Sequence, residues 1–75
     1  MRWQDYISSK PEVCHGKVCI TGTRVMVTVI LDSLAEGLEV EEIIERYPSV
    51  SREAVQATLL YAAELAKERL APLGG

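Results

Sequence analysis

The stretch VEEIIERYPSVSREAV, residues 40–55, decides how this chain folds. Val40, Ile43, Ile44 and Tyr47 fall at i, i+3, i+4 and i+7, one apolar stripe that predicts a helix over residues 40–47. Glu39, Glu41 and Glu42 crowd its first turn and Arg46 its last, both favourable to the helix dipole. Pro48 then stops it, because the residue before a proline is pushed out of the helical region. Ser51 is placed to cap a longer third helix reaching about residue 70, ahead of Pro72 and a Gly-Gly end. Only Pro48, Ser49 and Val50 lie between the two helices, the spacing of a helix-turn-helix.

Upstream, the 3.6-residue period begins at Thr28, whose hydroxyl is a candidate N-cap. Val29, Ile30, Leu31 and Leu34 make the apolar side of a first helix. Gly37 is placed to end it in a left-handed conformation, with Leu38 supplying the hydrophobic contact that follows. Before residue 28 there are only short β-prone pieces, at 6–7, 18–20 and 24–27, separated by turn-forming residues. Pieces this short need to pair with each other or with a second chain. The expectation is a mainly α, single domain over 1–75: strands and turns over 1–27, helices over 28–70, and a tail over 71–75.

Downstream, the third helix carries more apolar surface than two short helices can cover. With Val55 at zero and 100° per residue, Leu59, Ala62, Ala66 and Leu70 lie within about 60° and form the stripe expected to face the other helices. Ala54, Thr58, Tyr61, Ala63 and Leu65 widen the apolar arc to roughly 200°, against the 100° or so that a surface helix needs. Leu60 projects among Glu53, Gln56, Glu64 and Lys67 on the polar side. A second copy of the chain is the simplest cover, with Ala57, Leu60, Tyr61 and Leu65 as interface candidates. The alternative is that the N-terminal strands cover one flank.

Length sharpens the same point. A chain of 75 residues buries only about 60% of its unfolded surface, and such a core rarely supplies more than about 3–5 kcal/mol. With 48% hydrophobic and 25% charged residues the chain folds rather than staying disordered. A formal charge of −3 excludes a protein that coats nucleic acid by charge alone. Trp3, Tyr6, Tyr47 and Tyr61, with no Phe, are too few for a single-strand stacking platform. The N-terminal residues lack the apolar stretch of a secretory signal, and the apolar run over 25–31 is too short to span a membrane. Cys14 and Cys19 enclose four residues, so a bond between them would stabilise little. A cytoplasmic, reduced, self-associating protein is expected.

No constellation supports catalysis. Cys14, His15 and Cys19 give three candidate metal ligands with the wrong spacing where structural zinc takes four, so small buried cysteines are the better reading and no metal or other cofactor is expected. His15 is the only histidine, Gly16-Lys17 lacks the rest of a phosphate loop, and Glu39, Glu41, Glu42 and Glu45 read as a solvated helix face. For double-stranded DNA the candidate contacts are Ser49, Ser51, Arg52 and Gln56 at the start of the third helix, where amides and hydroxyls suit phosphates and Arg and Gln suit base edges. Arg46, Lys17 and Arg24 would add backbone contacts. An ordinary polar helix start accounts for the same residues equally well.

The run PEVCHGKVCITGTRV, residues 11–25, followed by Tyr47-Pro48 and by Tyr61-Ala62-Ala63-Glu64, resembles the signature of the bacterial and archaeal family called domain of unknown function 433. The resemblance covers about residues 7–66. It implies a homeodomain-like helix-turn-helix of three main helices preceded by short strands or a hairpin. It further implies a role like the antitoxin of a VapB-type pair, neutralising a PIN-like ribonuclease toxin and binding its own operator as a dimer; the rival is a protein-interaction module without DNA binding. His15, Val18, Thr21, Met26 and Arg52 depart from residues common in the family, as does the Glu39-Val40 helix start. For Gly22, Thr23 and Arg24 a structural role is expected: Gly22 permits a tight turn with positive φ, and Arg24 can fork onto carbonyls or a carboxylate.

Overall fold

A computed structural model describes residues 1–9 and 16–68. A 3₁₀ turn at Trp3–Asp5 leads into β1 (Ile7–Ser8), which pairs antiparallel with β2 (Cys19–Ile20) in the register Ile7 to Ile20 and Ser8 to Cys19. Three helices follow: α1 (Val27–Ala35), α2 (Val40–Arg46) and α3 (Arg52–Glu68). The mainly helical class and the preceding hairpin are as the sequence predicts. Among the described residues no helix is long and apolar enough to cross a membrane.

The third β-prone piece, 24–27, contributes only a bridge between Met26 and Cys19. That bridge explains why the N-cap of α1 falls two residues early, at Met26. The Val27 N–H donates to the Val18 carbonyl at 3.0 Å, so the sheet delivers the chain into the helix at Val27 with Met26 as N-cap. The expected cap, Thr28, lies inside the helix and is exposed. At the other end Gly37 takes φ +96. The Leu38 N–H reaches the Ser33 carbonyl at 3.1 Å and the Gly37 N–H reaches the Leu34 carbonyl at 3.0 Å, the paired bonds of a Schellman cap.

The start of α2 is held by the Glu39 N–H donating to Glu42 Oε1 at 3.0 Å, an arm of a capping box. The helix ends at Arg46 rather than at residue 47, with Tyr47 as its cap. Ser51 caps α3 as expected: its Oγ accepts from the Ala54 N–H at 3.1 Å. The expected far end of α3, residues 69–70, lies outside the described residues.

Ile7, Ile20, Val27, Ile30, Ile43, Val50, Ala54, Val55 and Ala57 form the core, with Trp3, Tyr6, Leu31, Leu34 and Tyr61 packed around it. Two hydroxyls share this interior, and each donates to the carbonyl four residues back: Ser33 Oγ to Val29 and Thr58 Oγ1 to Ala54, both at 2.9 Å. The buried side of α3 differs from the expected one. Ala54, Val55, Ala57 and Thr58 face inward, while Leu59 is 45% exposed and Ala66 is exposed. The period was readable, but its phase is set by where α1 and α2 sit. Cys19 is 1% exposed and disulfide-bonded, not a reduced thiol. Cys14 and His15 lie outside the described residues.

Candidate functional site

The turn from α2 to α3 is compact because Val50 anchors it. Val50 is 1% exposed, and its N–H donates to the Tyr47 carbonyl at 2.9 Å while the Tyr47 N–H closes on Ile43 at 2.9 Å. With its apolar residue turned inward, the turn leaves Pro48, Ser49 and Ser51 outside. Arg46, Ser49, Ser51, Arg52 and Gln56 are all exposed at this corner, so the fold brings the five predicted DNA-facing residues to one end of α2 and α3.

The electrostatics of that corner are mixed. Arg52 Nη2 donates to Glu41 Oε1 at 2.8 Å, tying the start of α3 to the first turn of α2. The Arg52 guanidinium, through that hydrogen bond, holds the Glu41 carboxyl below its ordinary value; a backbone hydrogen bond and the Arg52 charge act in the same direction. Glu42, Glu45 and Glu53 are exposed nearby. Glu41 escaped the sequence reading because it stands 11 residues from Arg52, beyond the i,i+4 reach from which helical ion pairs are inferred.

The four interface candidates separate into three environments. Ala57 is fully buried at 0% exposure and presents no surface, which corrects its assignment: it belongs to the core cluster with Ala54 and Val55. Tyr61 is half-buried and meets Trp3 edge-on, ring centroids 5.1 Å apart at 63°. Tyr61 and Leu65 form one wall of an open groove of about 510 Å³, with Val18, Met26 and Leu31 opposite and Lys17 at its rim. Leu60 stands elsewhere, 36% exposed beside Leu59 on the outer side of α3.

The Gly-Thr-Arg element is a turn. Gly22 takes φ +80 and the Thr23 N–H donates to the Ile20 carbonyl at 3.0 Å, the pattern of a type II turn with glycine at its third position. Thr23 does more than the sequence indicated. Its Oγ1 donates to the Ile20 carbonyl at 2.9 Å and accepts from the Val25 N–H at 3.0 Å, locking the turn that leads from β2 to α1. A threonine next to a glycine turn is the signal that would have found it. Arg24 is exposed.

Residues 7–62 match the family described as Protein of unknown function (DUF433). A protein of Sinorhizobium fredii (strain NBRC 101917 / NGR234), named Uncharacterized protein y4eO, is 32% identical over 59 residues, which are 79% of this chain and 27% of that protein. The crystal structure of a DUF433 member protein from Anabaena variabilis aligns with a TM-score of 0.76 at 26% identity, over 87% of this chain and 64% of that one. The chain thus spans about a quarter of the curated relative and less than two thirds of the solved one.

Proposed function

We infer a function from family and geometry together: the chain belongs to the DUF433 family, described only as of unknown function, and we propose that it is an antitoxin-like, non-enzymatic helix-turn-helix protein. It acts in the cytoplasm as a homodimer and neutralises a PIN-like ribonuclease toxin. Disulfides are rare in the cytoplasm, so the bond at Cys19 stands against that setting. The observation that carries the reading is the apolar groove between residues 16–18, α1 and α3, lined by Val18, Met26, Leu31, Tyr61 and Leu65. Apolar surface rimmed by polar residues is the kind of patch that a protein partner covers.

Operator binding through the α2–α3 corner is the second limb of the proposal. Exposed Ser49, Ser51, Arg52, Gln56 and Arg46 favour it. Against it stand the Arg52–Glu41 pair and Glu53 in the same turn, which favour the rival reading of a protein-interaction module without DNA binding.

The test is a pull-down from the native host with the wild-type chain and with Leu65→Asp, together with titration of the upstream promoter fragment against salt. Wild type is expected to recover a nuclease-like protein that Leu65→Asp fails to hold. A DNA-binding chain must lose promoter affinity steeply with salt, and Arg52→Glu must abolish it without unfolding the domain. Recovery of no nuclease, with no promoter protection at low salt, defeats the proposal. A recovered nuclease without promoter binding leaves the interaction module.

A further inference from the structure

We propose that two copies of this chain pair through the outer face of α3, antiparallel, about a two-fold axis passing between Leu59 and Leu60. This deepens the homodimer named above and rests on that reading. Leu59 is 45% and Leu60 36% exposed; apart from Met1 they are the large apolar side chains exposed among the described residues. Neighbours on a helix point about 100° apart. The two leucines, with exposed Ala63 and Ala66, therefore cover the side of α3 turned away from Ala54 and Thr58.

Charge selects the occupant. Glu53 lies in the first turn of α3 and Lys67 in the last, both exposed. Neither takes part in an ion pair among the described residues, where the pairs are Arg2–Asp5 and Arg52–Glu41. A two-fold axis between Leu59 and Leu60 sets each leucine against the other's counterpart and Gln56 against Ala63 of the second copy. It also brings Glu53 within reach of the second copy's Lys67, twice over. Arg52 is the residue directly opposite that Lys67 in this register, but its guanidinium is held 2.8 Å from Glu41, leaving Glu53, one residue on, to receive the ammonium. A parallel pairing would instead set Glu53 on Glu53 and Lys67 on Lys67, like against like. One face supplies both halves of the contact, as an isologous interface requires. The seam covers Gln56, so self-pairing and operator reading through Gln56 exclude each other.

Sedimentation equilibrium on the purified full chain, without toxin or DNA, tests the pairing. Wild type is expected to show a monomer–dimer equilibrium, and Leu60→Glu to weaken it by about tenfold or more, as removal of a central contact does. Glu53→Lys and Lys67→Glu should each weaken the dimer, and the double swap should restore it toward wild type. Both charges also suit the helix dipole, so circular dichroism is read on every variant. An effect on the helix alone would accumulate in the double variant instead of cancelling. A wild-type chain that stays monomeric at millimolar concentration, or a double swap no better than the single ones, overturns the pairing. Either failure leaves the toxin reading standing, because the Leu65→Asp pull-down is scored on a different face of α3.

Discussion

The first part of α3, up to Thr58, sends Ala54, Val55, Ala57 and Thr58 into the core at 0–2% exposure, whereas the part from Leu59 onward leaves Leu59, Leu60, Ala63 and Ala66 in solvent. The first half is also tied at its start, by the Ser51 cap and by the Arg52–Glu41 bond. The second half has the edge-on contact of Tyr61 with Trp3 and the groove wall at Leu65. At 17 residues α3 runs roughly 26 Å, against about 14 Å for the nine residues of α1 and about 11 Å for the seven of α2. Short helices cover one end of a long one, and what they leave uncovered is where partners are proposed to bind. Stability and the proposed protein contacts are thus divided along a single helix.

The contrast breaks most readily through the core beneath the first half. Ile43 is 0% exposed and belongs to the same core cluster as Val50, Ala54 and Val55. Ile43→Ala is expected to lower stability by about 2–5 kcal/mol, the range for emptying a packed aliphatic site. That is comparable to the whole core stability of about 3–5 kcal/mol assigned to so small a domain. Urea denaturation followed by circular dichroism should therefore find the variant largely unfolded without denaturant. A loss below 1 kcal/mol, on the order of an ordinary surface change, would mean that α2 is not what holds α3.

The cap of the first half comes next. Ser51→Ala removes the acceptor for the Ala54 N–H and is expected to cost about 1 kcal/mol. Ser51→Asp should recover most of it, since a carboxylate accepts the same N–H and suits the dipole. If Ser51→Ala leaves the midpoint of thermal unfolding unchanged, the start of α3 is fixed by packing alone.

These expectations also mark what a sequence reading can reach. Gly37, Pro48 and Ser51 act within their own turns, through φ, ring sterics and a hydroxyl, and each ends or starts a helix where its chemistry requires. Thr28 has the same hydroxyl as a good cap, but a β-bridge from Met26 to Cys19 begins the helix ahead of it, and that pairing lies outside the turn in which a cap acts. The apolar arc of α3 had a readable width, but its rotation depends on where Ile30 and Ile43 arrive. So Ala57 went to the core while Leu59 came out of it. The candidate site divides in the same way. Its exposed corner followed from helix and turn spacing, whereas the Glu41 partner of Arg52 and the groove under Leu65 needed the third dimension.

The second half can be sharpened through its aromatic contact. Trp3 and Tyr61 meet at 5.1 Å in the edge geometry favoured by ring quadrupoles. A double-mutant cycle of Trp3→Leu and Tyr61→Leu should return a coupling of about 0.5–1 kcal/mol. Hydrogen exchange of residues 59–67 is expected to quicken in each single variant while that of residues 54–58 stays slow, because the two halves open separately. Equal acceleration throughout would show that α3 is one cooperative unit.

The smallest expected effect lies at the joint between α2 and α3. Arg52 lowers the Glu41 carboxyl from its ordinary value of 4.5, first through the side-chain hydrogen bond. A carboxyl whose folded value is lower than its unfolded one contributes stability that is complete above the unfolded value and is lost as pH falls through the folded one. The wild-type chain should therefore lose a small increment of stability below pH 4.5 that Glu41→Gln lacks. Both side chains are more than half exposed, at 61% and 66%, so salt should shrink the increment further, as screening does for surface pairs. Thermal unfolding of the two proteins across that range, at low and at moderate salt, measures it. The same substitution frees the Arg52 guanidinium. If the α2–α3 corner binds an operator, Glu41→Gln should strengthen promoter binding while slightly weakening the fold, so that one change moves stability and recognition in opposite directions. A fall in both would place Arg52 wholly with the scaffold.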